Sequence, residues 1–395
     1  MGYADTEVRP VQAHQQPEWT DTAEAMRIRR FLATRPPLVN VEDVRTLRAL
    51  LAAVATGEAL VMQAGDCAED PADCAPDQVL RKVAVIDRCA ATLGAVGGRP
   101  ALRIGRIAGQ FAKPRSRPVE HVDGHDLPVY RGHMVNSPTA DRHSRYADPR
   151  RILTGYLAAG RMMATLGWDG HTARQGLSLG GPAVWTSHEA LLLDYEMPML
   201  REDGDGRRWL ASTHFPWIGE RTRQPDGAHV ALLADVVNPV GCKIGPSTTE
   251  DEITTLCRRL DPRREPGRLT LIARMGADAV AGRLPALVRG VREAGHPVIW
   301  LCDPMHGNTI ATADGTKTRL LTTITREISG FHHAVTDNGG VPGGLHLETT
   351  PDDTTECVLD ESELATVADR YASLCDPRLN PLQAVSVIGS WDDSR

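Results

Sequence analysis

One pattern constrains this chain more than any other: apolar runs that stop abruptly at a cluster of polar residues. In PVIWLCDPMHGNT (297–309), the run Val298–Leu301 ends in Cys302, Asp303, His306 and Asn308. A continuous apolar run of that length suits a strand covered on both faces, as in a parallel sheet. Polar groups at a strand's C-terminal end are where α/β sheets and barrels place their chemistry.

The pattern recurs. Ala59–Ala64 runs into Gly65, Asp66 and Cys67, and Ala101–Ile107 leads into GQFAKPRS (109–116). Trp209–Thr213, Asn238–Ile244, Leu269–Arg274 and Gly344–Glu348 read the same way. Amphipathic helices lie between them. Asp77–Val96 presents Val79, Val83, Ile86 and Leu93, and Glu250–Leu260 presents Ile253, Leu256 and Leu260. A further helix carries Leu284, Leu287, Val288 and Val291, and Lys317–Gly330 and Glu361–Leu374 also read as helical. With an indistinct eighth run before residue 376, there are eight strand–helix units, and Val298–Cys302 counts as the sixth strand. This predicts an α/β chain folded as a (β/α)8 TIM barrel. A doubly wound sheet lacks its signature, because GGVPGG (339–344) precedes a strand instead of following one. Residues 1–57 read as an N-terminal extension: a polar arm over 1–16, then helices within Glu18–Thr34 and Val41–Thr56. The barrel occupies 58–395, with an elaborated segment at 117–208 inserted between strands 2 and 3.

Composition narrows the function. The formal net charge, 44 − 51 = −7, argues against nucleic acid but allows a local basic pocket for a phosphorylated metabolite. The first residues show no apolar signal core and no long apolar run occurs, so a cytoplasmic, non-membrane protein is expected. The eight cysteines are scattered without a C-x-x-C pair, which suits free thiols.

The strand-end residues fall into two chemical sets. Cys67, His306, Glu348 and Asp376 offer one thiolate, one imidazole and two carboxylates. Such a mixed set suits Mn²⁺, Co²⁺, Fe²⁺ or Zn²⁺ better than Mg²⁺ or Ca²⁺. A cysteine after a strand is equally a small buried hydrophobe, and a histidine a hydrogen-bonded structural residue. The second set is Arg106, Lys113, Arg115, Arg221, Lys243 and Arg274. Cations at the ends of apolar strands need an anion, either a phosphorylated ligand or structural carboxylates. Trp185 with His188 and Glu189 has a catalytic composition, but an amphipathic helix explains it as well.

At these residues the chain resembles the type II 3-deoxy-D-arabino-heptulosonate 7-phosphate (DAHP) synthases. The matching stretches include QAGDCAE (63–69), GRIAGQFAKPRS (105–116), STHFPWIGERTRQ (212–224), NPVGCKIGP (238–246), DPMHGNT (303–309), GGLHLE (343–348) and CDPRLNP (375–381). The resemblance implies condensation of phosphoenolpyruvate with erythrose 4-phosphate, the opening step of the shikimate pathway, with Mn²⁺ or Co²⁺ as the metal. It places metal ligands on Cys67, His306, Glu348 and Asp376. It places phosphoenolpyruvate on Arg106, Lys113, Glu220 through its backbone, Arg221, Lys243 and Arg274, and the aldose phosphate on Arg115 and Ser116. Lys243 and Lys113 are the candidate catalytic lysines. A homo-oligomer, dimer or tetramer, is implied. His133 stands where the family commonly has Asp, which keeps open an imino-aldose acceptor, as in an amino-DAHP-type synthase. A non-catalytic relative is the other alternative. The short N-terminal region resembles compact members tied to secondary metabolism, with weak or absent inhibition by aromatic amino acids. Cys375 precedes Asp376, so its sulfur is expected near Cys67 when the site is empty.

Overall fold

The computed structural model describes residues 12–122 and 124–391. The first eleven residues of the expected polar arm lie outside the described residues. Eight parallel strands close into a barrel, each paired with its neighbours in the chain and the last with the first. They are β1 (Leu60–Gly65), β2 (Ala101–Arg106), β3 (Val184–Glu189), β4 (Phe215–Ile218), β5 (Val240–Ile244), β6 (Leu269–Ala273), β7 (Ile299–Cys302) and β8 (Pro342–Glu348). The fold is the expected (β/α)8 barrel.

The strand count differs in four places, one of them the fourth strand, Phe215–Ile218, which lies in the stretch after the run read as a strand at Trp209–Thr213. Trp209–Thr213 is not a barrel strand: Arg208–Leu210 pairs with Leu200–Glu202 in a small outer hairpin. The true third strand is Val184–Glu189, inside the segment read as an insertion. Its polar side chains hid it, and two of them find partners within the barrel. Ser187 Oγ donates to the Gly105 carbonyl at 2.8 Å, and Thr186 Oγ1 lies 2.9 Å from His214 Nδ1. The indistinct strand before 376 does not exist. The predicted helix Glu361–Leu374 shrinks to a 3₁₀ turn at Glu361–Thr366, which buries no side chain and so gains nothing from lengthening. PVIWLC is therefore the seventh strand.

Helices α1 (Thr22–Ala33) and α2 (Val41–Ala55) precede the barrel, and α3 (Pro76–Gly97) and α4 (Arg151–Thr165) follow β1 and β2. Then come α5 (Ala228–Ala234), α6 (Glu250–Leu260), α7 (Val280–Glu293), α8 (Leu321–Thr336) and α9 (Pro381–Ile388). Their inward faces are those the periodicity marked: Ile253, Leu256 and Leu260 on α6, and Leu284, Leu287, Val288 and Val291 on α7, all buried. Truncating one such leucine to alanine costs about 2–5 kcal/mol. Helix α2 lies against the N-terminal end of the barrel. Its Leu47, Leu51 and Val54 belong to the same core as the strands, and Arg48 donates to the Val237 carbonyl. With that end covered, the opposite end is free for chemistry. No helix among the described residues is long and apolar enough to cross a membrane.

Candidate active site

The C-terminal ends of the strands surround a cavity of about 850 Å³. Among the described residues, eight lysines and arginines line it against five carboxylates, although the whole chain is acidic. Strand register builds its floor. Gly65 on β1 pairs with Arg106 on β2 and with Glu348 on β8, so these positions share one layer. Only glycine fits between them, because a Cβ at Gly65 would lie 2.6 Å from the Arg106 carbonyl oxygen.

Glu348 is the hub of that layer and is fully buried. Its Oε1 accepts from Arg106 Nη2 at 2.9 Å and lies 3.4 Å from Lys113 Nζ and 3.2 Å from His306 Nε2. Its Oε2 accepts from Arg319 Nη1 at 3.0 Å. Burial opposes its charge, but His306, Lys113, Arg106 and Arg319 outweigh burial and hold its carboxyl well below the usual range. Asp376 is reached by the long loop after β8, which folds back through a Leu379 amide bond to the Glu348 carbonyl. Its carboxylate meets Lys113 at 3.1 Å and Lys317 at 2.9 Å.

His306, Glu348 and Asp376 each bring a donor atom within 4.8 Å of the other two. Cys67 does not join that triad as closely. It packs with Cys375 and Tyr130, and its Sγ lies 3.5 Å from Ser373 Oγ. A hydrogen bond from Cys375 is the main influence on the Cys67 thiol, which is lowered to about 6 although burial opposes the thiolate. The sulfurs are neighbours as expected, and all eight cysteines are free. Two ionised carboxylates, one imidazole and an adjacent low-pKa thiol make a donor set that fits a borderline divalent ion. Asp303 completes it from behind. Fully buried, it accepts from His306 Nδ1 and from Lys243 Nζ, each at 2.8 Å, which leaves His306 Nε2 for an ion.

The cations sort by position. Lys243 is buried, and its ammonium is pushed below the ordinary lysine range, first by burial and also by Arg106, with Asp303 opposing. Lys113 shifts the other way: burial opposes its charge, but Glu348 and Asp376 hold it raised. Arg274 donates to the His306 carbonyl at 2.8 Å. Glu220 pairs with Arg223 at 3.0 Å. Nearer the mouth, Arg221 donates to Ser116 Oγ at 2.5 Å and Arg115 pairs with Glu120 at 3.1 Å. Arg106 does not line the cavity; its guanidinium ends on Glu348, His346 and the Asp66 carbonyl. His133 also lies outside the cavity, its Nε2 3.4 Å from Asp70 and its ring edge-on to Tyr130.

Four residues of the site escaped sequence reasoning. Asp303 stands in the strand-end cluster of 297–309 but entered neither chemical set. Glu189 ends the unrecognised third strand and lines the cavity; its Oε1 is buried without a protein partner, and burial raises its carboxyl. Lys317 and Arg319 were assigned to the start of a helix that in fact begins at Leu321. Arg319 is fully buried and also donates to Thr309 Oγ1 at 3.0 Å.

Comparison with known proteins gives the family. The model of the class-II DAHP synthetase family matches residues 3–167 and 158–389. A probable phospho-2-dehydro-3-deoxyheptonate aldolase of Pseudomonas fluorescens is 56% identical over 380 residues, 96% of this chain and 94% of that protein. The phospho-2-dehydro-3-deoxyheptonate aldolase of Streptomyces coelicolor is 39% identical, covering 96% of this chain and 94% of its own. That of Neurospora crassa is 36% identical, covering 98% and 93%. The chain is a member of the class-II DAHP synthetase family, and it is an enzyme.

Proposed function

We propose that the cavity condenses phosphoenolpyruvate with erythrose 4-phosphate to give DAHP and phosphate. The observation that carries the proposal is the juxtaposition of an anionic donor set, Glu348 and Asp376 with His306, and a lining richer in cations than in carboxylates. A site built for two phosphates and one ion needs both.

Cys67, His306, Glu348 and Asp376 would hold a divalent ion, Mn²⁺ or Co²⁺, which when bound supplies Lewis acidity to the aldehyde carbonyl. Lys243, Arg274, Lys113, Arg221 and the backbone at Glu220 hold phosphoenolpyruvate. Arg106 belongs with them by charge, and its first task is to fix Glu348. Arg115 and Ser116 take the aldose phosphate at the mouth, with Arg221 between the two sites. Positioning both substrates in one closed set of cations accounts for much of the rate. C3 of phosphoenolpyruvate bonds to the aldehyde carbon, water adds at C2, and the resulting hemiketal expels phosphate. Lys243 Nζ, with its lowered pKa, gives a proton to the developing alkoxide. Glu189, which lines the cavity and has an unpartnered Oε1, holds the incoming water.

His133 kept an imino-aldose acceptor open, but it turns to Asp70 and does not line the cavity, which favours the aldose. A competition assay with both acceptors tests this, and preference for the imino compound would overturn it. The reading includes a cytoplasmic homo-oligomer serving secondary metabolism, with weak or absent inhibition of turnover by aromatic amino acids. Strong inhibition by tryptophan, phenylalanine or tyrosine would remove that last element.

A further inference from the structure

Residues 12–16 bond to the segments that follow three barrel strands, β2, β3 and β4. The Gln12 carbonyl accepts from the Ala228 amide at the start of α5, at 3.3 Å. Gln16 reaches the loop after β3, where its Oε1 accepts from the Leu193 amide at 3.0 Å and its Nε2 donates to the Leu191 carbonyl at 2.9 Å. Gln15 holds the loop after β2. Its Oε1 accepts from the Arg115 amide at 2.9 Å, and its carbonyl accepts from the Arg131 guanidinium. Gln15 has φ 63°, in the left-handed region that a residue with a Cβ enters at a cost. A non-glycine residue held there is a pointer to function.

The loop it holds has little else to fix it. Lys113 is fixed by its amide bond to the Arg131 carbonyl at 2.9 Å, and the Pro118 carbonyl by the Val129 amide at 3.0 Å. Between these points, among the described residues, the Arg115 amide is the one backbone group with a hydrogen-bond partner. Pro114 has no N–H to offer. The Arg115 guanidinium is restrained separately by Glu120, which Arg145 also grips.

We infer that Gln15 is a positioning residue for the acceptor phosphate. It fixes the backbone at Arg115, so that Arg115 and Ser116 meet the phosphate already in place and the loop is not ordered at the expense of binding. The inference rests on the reading of Arg115 and Ser116 given under Proposed function.

Steady-state kinetics of the full chain with Gln15→Met and Gln15→Glu test it. Methionine keeps the length and loses the acceptor; glutamate keeps an acceptor oxygen. Loss of one hydrogen bond predicts a rise of about fivefold in KM for erythrose 4-phosphate in Gln15→Met. KM for phosphoenolpyruvate, kcat and melting temperature should stay at wild-type values. Gln15→Glu should lie within about twofold of wild type. Equal rises in both KM values, a loss confined to kcat, a lowered melting temperature or equal effects of both variants would overturn the inference. An unmoved KM in active Gln15→Met overturns it alone, whereas a wild-type protein without turnover overturns the proposed function as well.

Discussion

Asp303→Asn perturbs the site at its most connected second-layer group. Asp303 is fully buried and neutralises Lys243 at 2.8 Å while fixing His306 Nδ1 at the same distance. Asparagine keeps the shape and one acceptor but removes the charge. The Lys243 ammonium is then buried without its partner, which costs about 3–5 kcal/mol. Burial already pushes Lys243 down, and losing Asp303 pushes it further the same way. The native state of the variant therefore binds fewer protons than the unfolded state, and its stability rises with pH. Its deficit against wild type should be largest near pH ~6 and shrink toward pH ~9, as Lys243 sheds its proton. The same change loosens His306, and loss of such an outer partner weakens metal binding about 10- to 100-fold. Asparagine still accepts from Nδ1, so the lower end is expected. Urea denaturation of the metal-free protein at both pH values, with Mn²⁺ titration followed by electron paramagnetic resonance, measures the two effects. A deficit independent of pH, or unchanged Mn²⁺ affinity, would refute the role given to Asp303.

The other predictions probe separate parts of the site. Gly219→Ala would put a Cβ within 2.7 Å of the Glu189 Cδ and closer still to Oε1. It should destabilise the fold by about 1–3 kcal/mol and lower kcat at least about tenfold; wild-type kcat would remove Glu189 from the mechanism. Lys317 caps Asp376 at 2.9 Å from a half-exposed position, where it competes with an incoming cation. Lys317→Met should tighten Mn²⁺ binding about twofold to fivefold in calorimetry, the screened worth of such a pair, and weaker binding would contradict this. Cys375 packs against Cys67, so metal-stripped protein should lose activity on treatment with a thiol oxidant and regain it with reductant. Cys375→Ser should resist the treatment, and an equal loss in that variant would place the damage elsewhere.

Much of this was legible in the sequence because the relevant physics is local. Apolar runs flanked by amphipathic helices fixed the barrel class, and the inward faces of α6 and α7 fell where their periodicity placed them. Lys113, Glu348, His306 and Asp376 meet around one point, as polar residues near strand ends can. What was not legible depended on pairing across the barrel. β3 carries Ser187 and His188 in its interior, bonded to Gly105 and Glu196, and no apolar run announces such a strand. Asp376 comes from a long return loop, so no strand precedes it to mark its place. Arg106 carries a charge suited to a substrate, yet its partners are Glu348 and His346, which only the closed barrel brings beside it. Gln15 lies in a segment without periodicity, and its importance comes from a loop one hundred residues away.

Phosphoenolpyruvate and erythrose 4-phosphate should be mixed with protein loaded with Mn²⁺ or Co²⁺, and phosphate and DAHP measured together. Equimolar release of both, lost when the metal is chelated and restored when it is returned, is the predicted result. Metal-replete protein that releases no phosphate from this pair would contradict the account.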